Sequence, residues 1–278
     1  MAKRPRVAVV FGGISPEHGI SCLTAASVTQ AIDRERYEVI GLGITRDGAW
    51  AVMPGDEVAE LQVRDRQMPE VTAGPAGAAA DVVVPDQPTA LLPMPDLTEV
   101  DLAFSVLHGP FGEDGTIQGM FEMLGVRYVG SGVLASAAGM DKHYMKVVMA
   151  AAGIPVGPWQ TLTDREWTTD PDACVDRVNE LAFPVFVKPA RAGSSFGINK
   201  VSSSRDLGGA IEFARRYDPR VVVEQGFVDA RELECGVLET SEGPQASVVA
   251  EICAATDSGF YDFDAKYLPG AEVHAEIP

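Results

Sequence analysis

The chain has 278 residues, 46% of them apolar, enough to bury more than one core, so two α/β domains and part of a third are expected rather than one compact domain. A formal net charge of −18 repels phosphate backbones and anionic lipid, which argues against non-specific nucleic-acid binding and membrane-surface attachment. No stretch approaches the roughly 20 apolar residues of a membrane helix, and Val7 to Phe11 is too short for a signal-peptide core, so the expected compartment is the cytoplasm.

Val7 to Phe11 is a continuous apolar run closed by Gly12 and Gly13, the pattern of a strand buried on both faces of a parallel sheet. Ser15 and Pro16 supply a helix cap and a first-turn proline, predicting a helix to about Ile32 with Ile20, Leu23 and Ala31 facing inward. Tyr37 to Ile44 follows as a second strand. Residues 54–98 are rich in Pro, Gly and Ala without periodicity and are expected to be an insertion. A strand at Leu102 to Leu107, the loop HGPFGEDG, a helix from Thr116 to Leu124 and a strand at Val126 to Val129 complete a first domain, residues 1–130.

A second domain, 131–224, is predicted to open with one helix across ASAAGMDKHYMKVVMAAAG. A strand at Ile154 to Leu162, a helix at Pro171 to Leu181, the strand PVFVKP, the loop ARAGSSFGINKV, a helix at Arg205 to Arg216 and the strand Val221 to Glu224 follow. The remainder, 225–278, holds strands in ELECGVLE and ASVVAEICAA and then an irregular polar-aromatic stretch, an incomplete third layer.

Cys22, Cys174, Cys235 and Cys253 lack CxxC pairing or neighbouring histidines at metal spacing and are expected to be reduced core thiols. In GSSFGINK the glycines and serines free N–H groups and hydroxyls to wrap an anion, with Lys188 adding charge, although a turn rich in glycine for steric reasons fits as well. The same residues match G-x-S-x-G, but a nucleophile elbow needs a helix after the turn, whereas INKV predicts a strand. FGGIS lacks the dinucleotide spacing, and no Walker motif occurs. Only six of the 22 basic residues are lysines (Lys3, Lys142, Lys146, Lys188, Lys200, Lys266), which draws attention to them as compact cations able to follow a phosphoryl group.

FGGISPEHGIS, HGPFGEDGTIQG, GSGVLASAAGMDKHYMK, GIPV, FPVFVKPARAGSSFGI, VVVEQGFVDARELECGVL and FYDFDAKY occur in the order of the D-alanine–D-alanine ligase family, which this chain resembles over nearly its whole length outside 54–98. The resemblance implies an ATP-grasp architecture: an N-terminal α/β domain with a parallel sheet, a central α+β domain and an incomplete C-terminal domain. It implies ATP-dependent joining of two D-alanines through an acyl phosphate, for peptidoglycan precursors, with Mg²⁺ or Mn²⁺ as cofactor and a homodimer as the assembly.

Residue by residue, the resemblance makes Lys142 and Lys188 phosphate contacts and Ser194 and Ser195 the loop over the γ-phosphate. Glu224, with the Gln225 to Phe227 backbone, matches the adenine side, and Glu232 the ribose carboxylate. Glu17 matches the carboxylate that holds the first D-alanine's ammonium, linked to Ser194 and Tyr267; it also suits a helix start electrostatically. His108 matches a histidine beside that site, and Lys266 and Tyr267 the tip of a lid whose lysine-tyrosine pattern favours dipeptide over depsipeptide. Lys146 is expected to be a solvated helix residue.

Relatives continue past the lid with an acceptor-binding arginine and Mg²⁺ carboxylates, so metal ligands are expected beyond Pro278 and the chain itself is expected to bind nucleotide without turnover. Two other readings stand beside the ligase: a nucleotide-binding module without activity, and another carboxylate–amine ligase, which the Glu17 loop and the lid disfavour.

Overall fold

In the computed structural model the described residues are 3–64, 67–72, 97–228, 230–254 and 273–277. They form two compact units, Met1–Ile154 and Pro155–Pro278.

The first unit is built on β1 (Arg6–Gly12). After α1 (His18–Ala31) the chain adds β2 (Glu38–Ile44), turns into β3 (Trp50–Pro54) and enters the short α2 (Gly55–Ala59). Then come β4 (Leu102–Ser105), α3 (Thr116–Met123), β5 (Tyr128–Val129), α4 (Val133–Met140) and α5 (Lys142–Ala151). The sheet order is β3-β2-β1-β4-β5, parallel except for the β2–β3 hairpin.

The continuous apolar run of β1 follows from its place at the centre of this sheet. Ala8 and Val10 pack with Leu42, Ala103, Ile117 and Phe121 on one face, while Val9 and Phe11 pack with Cys22, Ala25, Val39 and Val58 on the other. Each fully buried Val or Phe contributes roughly 1.5–3 kcal/mol of apolar transfer.

Several expectations are corrected here. The first helix starts at His18, later than the Ser15 cap and first-turn Pro16 implied, and Ser15 instead closes the turn before it, its hydroxyl accepting the Glu17 N–H (3.1 Å). Ala31 is exposed and Leu23 only half-buried. Within the region 54–98 expected to be an insertion, Val58 of α2 and Val71 are buried in the core. The helix expected across ASAAGMDKHYMKVVMAAAG is broken at Asp141, which leaves the helical region (φ −87°, ψ 106°) and caps α5 through the His143 and Tyr144 N–H groups. Both α4 and α5 group with the first unit, although they were expected to open the second.

The second unit contains β6 (Trp159–Leu162), α6 (Asp164–Thr169), α7 (Pro171–Val178), β7 (Val185–Pro189), β8 (Asn199–Val201), a 3₁₀ turn at Ser204–Asp206, α8 (Leu207–Arg215) and β9 (Val221–Gln225). The sheet β6-β9-β7-β8 is antiparallel throughout. One face carries Val185, Val187, Val221 and Val223, buried against Trp167, Val178, Leu207 and Ile211. Sequence reading missed α6, whose Thr163–Glu166 capping box is a start signal in its own right. The C-terminal part adds β10 (Leu233–Glu234), β11 (Val237–Thr240), β12 (Gly243–Ala246), β13 (Ala250–Ala254) and β14 (Val273–Glu276), in a β10-β13-β14 sheet and a β11–β12 hairpin. Cys22 and Cys174 are buried, but Cys235, between β10 and β11, is exposed and Cys253 only half-buried, so neither is a core thiol.

Candidate functional site

In the first unit the chain leaves β1 to build β2 on one side and later returns to build β4 on the other. A crevice forms at the carboxyl ends of parallel strands where the order reverses in this way, and ligands bind there in such sheets. Gly12 and Gly13 lie at that end with φ of +87° and +90°, and a Cβ on Gly12 would come within 2.3 Å of the Ile44 carbonyl oxygen. The Ser21 hydroxyl accepts the Gly12 N–H (2.9 Å) and donates to the Val106 carbonyl (2.7 Å), tying the ends of β1 and β4 together.

His18, fully buried, sets the rest of the turn. Its Nε2 accepts the Val71 N–H (3.0 Å), so the proton sits on Nδ1, which donates to the Gly13 carbonyl (2.7 Å). Glu17 is buried beside it, at 3% exposure. Gly109 has φ +69°, and a Cβ there would lie 2.3 Å from Glu17 Oε2, so the glycine after His108 leaves the space the carboxylate occupies. His108 Nε2 lies 3.2 Å from Thr24 Oγ1, whose hydroxyl donates to the Ile20 carbonyl (3.0 Å), which makes Nε2 the donor.

The acidic residues of HGPFGEDG serve the loop itself. Glu113 accepts the Gly109 N–H (2.7 Å), and Asp114 accepts those of Phe111 (2.9 Å) and Thr116 (3.0 Å). Burial pushes the Asp114 carboxyl up, but the Phe111 and Thr116 hydrogen bonds outweigh it and hold the group below its ordinary value. Next to this turn lies a largely apolar cavity of about 220 Å³, lined by Gly13, Ile14, Trp50, Leu107, His108 and Met120 among others.

Lys142 is the first residue of α5, half-buried, directly after the Asp141 cap. Lys146, one turn on, is buried at 9% exposure and so is not the solvated residue expected, since that face of α5 is covered.

In the second unit the sheet's other face carries Phe186, Lys188, Val222 and Glu224, with Trp159 directly opposite Glu224. Lys188 and Glu224 form an ion pair there, their side chains only 21% and 17% exposed, and the ammonium lies 5.8 Å from the Phe186 ring centroid. The β7–β8 loop carries Ser194 and Ser195 at φ +44° and +61°, conformations unfavourable to any residue with a Cβ. INKV forms β8, as expected, so the strand–turn–helix of a hydrolase elbow is not formed.

Gln225 places its N–H on the Pro158 carbonyl (3.0 Å) and its side-chain oxygen on the Ala182 N–H (3.1 Å). Phe227 is 68% exposed, and Glu232 is exposed with its carbonyl accepting the Ile252 N–H (2.8 Å). The structure thus gathers Glu17 with the His108–Gly109 loop in one unit and Lys188 with Glu224 in the other. Lys266 and Tyr267 lie outside the described residues.

Sequence reasoning missed Thr24, Gly109, Asp141 and Asp218 as supports. Asp141 had a signal, since an aspartate before a helical run is a preferred cap. Asp218 had none, because its partner Arg191 stands 27 positions away.

A crevice of this kind in one unit and an antiparallel sheet with a part-buried charge pair in the other suit the architecture of an ATP-grasp ligase, and solved structures similar to this chain are such ligases. Residues 6–131 match the family model described as D-ala D-ala ligase N-terminus and residues 148–278 that described as D-ala D-ala ligase C-terminus. D-alanine--D-alanine ligases of Streptomyces griseus and Paenarthrobacter aurescens are each 50% identical, covering 97% and 99% of this chain and 71% and 74% of their own lengths. Among solved structures, the VanG D-Ala:D-Ser ligase of Enterococcus faecalis is 31% identical with a TM-score of 0.70, over 99% of this chain and 76% of that one. The D-alanine-D-alanine ligase of Coxiella burnetii is 30% identical with a TM-score of 0.71, over 90% and 69%. The chain belongs to the D-alanine–D-alanine ligase family.

Proposed function

We propose that the chain carries the ATP-dependent joining of two D-alanines into D-alanyl-D-alanine for peptidoglycan precursors. A carboxylate is a poor electrophile, so the γ-phosphoryl group of ATP first passes to the carboxylate of one D-alanine. The amine of the second then attacks the acyl phosphate, phosphate leaves with the bonding pair, and the amine loses its proton. The chain's contribution is positioning and neutralisation of developing charge.

The observation that carries this reading is the Lys188–Glu224 pair on the sheet face opposite the core, one connection away from the left-handed Ser194–Ser195 turn. Lys188 is assigned to the phosphates, and Ser194 and Ser195 to the γ-phosphate. Glu224 with the Gln225 to Phe227 backbone takes the adenine edge, and Glu232 the ribose. Lys142 is assigned a second phosphate contact. Glu17, with His108 beside it, holds the ammonium of the first D-alanine, and Lys266 and Tyr267 belong to the lid. In this reading residues 1–130 serve the first amino acid, 131–224, whose α4 and α5 group with the first unit, serve the phosphates, and 225–278 form a C-terminal part.

Mg²⁺ or Mn²⁺ is implied by the family, but the described residues do not fit it: they contain no group of three or more His, Cys, Asp or Glu able to hold a metal ion. No helix among the described residues is long and apolar enough to cross a membrane. A cytoplasmic homodimer remains part of the proposal, and light scattering tests its stoichiometry.

The deciding experiment incubates the protein with ATP, Mg²⁺ and D-alanine, follows phosphate and dipeptide together, and measures ATP binding by calorimetry. D-alanine-dependent release of both products in equal amounts is the expected result for the ligase. ATP binding without dipeptide overturns the joining reaction for this chain and bears out the expectation of nucleotide binding without turnover, and absence of ATP binding overturns both.

A further inference from the structure

The Ser194–Ser195 turn holds two consecutive residues in a region that L-residues avoid, and such a conformation persists only where its surroundings over-determine it. Within the loop the Phe196 N–H donates to the Gly193 carbonyl (3.0 Å) and the Ile198 N–H to the Ser195 carbonyl (3.4 Å). Further restraints come from Tyr217 and Asp218, in the connection between α8 and β9.

Asp218, at 2% exposure, is a buried carboxylate surrounded by N–H donors. Its Oδ2 accepts the Arg191 backbone N–H (3.0 Å) and Nε (2.7 Å), and its Oδ1 accepts Arg191 Nη2 (3.1 Å) and the Arg220 N–H (3.0 Å). A bidentate guanidinium together with the same residue's amide fixes both the direction of the chain and its height above the sheet at the loop's leading end. At the trailing end Gly197 has φ +72°, and a Cβ there would stand 2.7 Å from the Tyr217 ring and 3.1 Å from Pro189. Tyr217 and Asp218, adjacent in sequence, therefore grip the loop on both sides of the serines.

The geometry points to Asp218 as a positioning residue for nucleotide phosphates. Through Arg191 it holds the serine loop in its phosphate-receiving form before any ligand arrives, so binding need not order the loop. Asp218 itself touches no ligand. This inference rests on the nucleotide reading above. It adds that the phosphates, and not the nucleoside, depend on a carboxylate from the α8–β9 connection.

The test compares ATP with adenosine by calorimetry on the wild-type chain, Asp218→Asn and Arg191→Met. Asparagine keeps the shape of the aspartate but turns an amide toward the guanidinium, while methionine at the exposed Arg191 leaves both backbone bonds to Asp218 in place. Each variant is expected to lose about tenfold or more in ATP affinity, with adenosine affinity unchanged, because only the loop's pre-ordering is removed. If Asp218→Asn does not fold, Arg191→Met decides the matter alone. Unchanged ATP affinity in the folded variants overturns the proposal, as does an equal loss for ATP and adenosine, which would mark a purely structural role. A wild-type chain that binds neither ligand removes the nucleotide reading first and this inference with it, an outcome visible before any variant is compared.

Discussion

Lys188 and Glu224 stand on neighbouring strands of one antiparallel sheet, a diagonal step apart on the same face, and form an ion pair with little exposure to solvent. Diagonal neighbours across such strands are within reach of long side chains, so the pair follows from register as well as from charge. Glu224 compensates the charge of Lys188, so in the proposed reading the phosphates of a nucleotide compete with Glu224 for it.

Lys188→Met should lower ATP affinity by about 1.5–3 kcal/mol, the cost of a lost charge-assisted contact. It should also lower stability by about 1–3 kcal/mol, because Glu224 loses its partner in a poorly solvated place. The double variant Lys188→Met with Glu224→Gln should regain much of the stability but none of the affinity. Chemical denaturation and calorimetry on all three proteins check the cycle, and recovery of ATP affinity in the double variant would remove Lys188 from the phosphate site.

Two glycines should respond in opposite directions. Gly109→Ala puts a Cβ at a positive φ and against Glu17 Oε2, so it should destabilise the protein by about 1–3 kcal/mol and impair D-alanine binding. Gly209→Ala in α8 meets nothing within 4 Å and should stabilise by about 0.4–1 kcal/mol. Thermal melts of both variants and a D-alanine titration of the first are the measurements.

Asp141→Ala removes the side chain that accepts the His143 and Tyr144 N–H groups, at a cost of about 0.5–2 kcal/mol. The first turn of α5 should fray and release Lys142 from its fixed start. Amide exchange in residues 142–145 should quicken more than at the helix's far end, and uniform exchange along α5 would argue against a capping role.

Burial pushes the Cys22 thiol up to about 12, partly opposed by Arg46. A maleimide at pH 8 should therefore label the exposed Cys235 and leave native Cys22 unmodified. Because the native fold disfavours the thiolate, the stability this thiol contributes is fully present below its unfolded value of about 8.5 and is lost as pH rises toward 12. Above about pH 9 the wild type should lose stability more steeply than Cys22→Ala, as denaturant melts at stepped pH would show.

Strand identity was legible wherever periodicity and burial agreed: β1 carries a continuous apolar run because both its faces are covered, and β7 and β9 carry valines on a covered core face, with Lys188 and Glu224 on the other. The break at Asp141 escaped because apolar residues continue through it, and only the capping preference opposes one long helix. Lys146 was misplaced because a lysine's burial depends on what covers its face of α5, which no local pattern states. Within the candidate site the charged residues stood out through their motifs, whereas Thr24, Gly109 and Asp218 act through partners distant in sequence, and spacing carries no record of those contacts.

The interruption between α4 and α5 leaves α5 with a basic residue, Lys142, at its first position and none in its last turn. Peptide dipoles put partial positive charge at that first turn, so the helix carries its cation at the end where a cation is least welcome. Asp141 offsets this locally. A substitution that neutralised Lys142 would relieve α5 of that opposition while removing the ammonium assigned to phosphate, so improvement of the helix and retention of the ligand contact pull on this position in opposite directions.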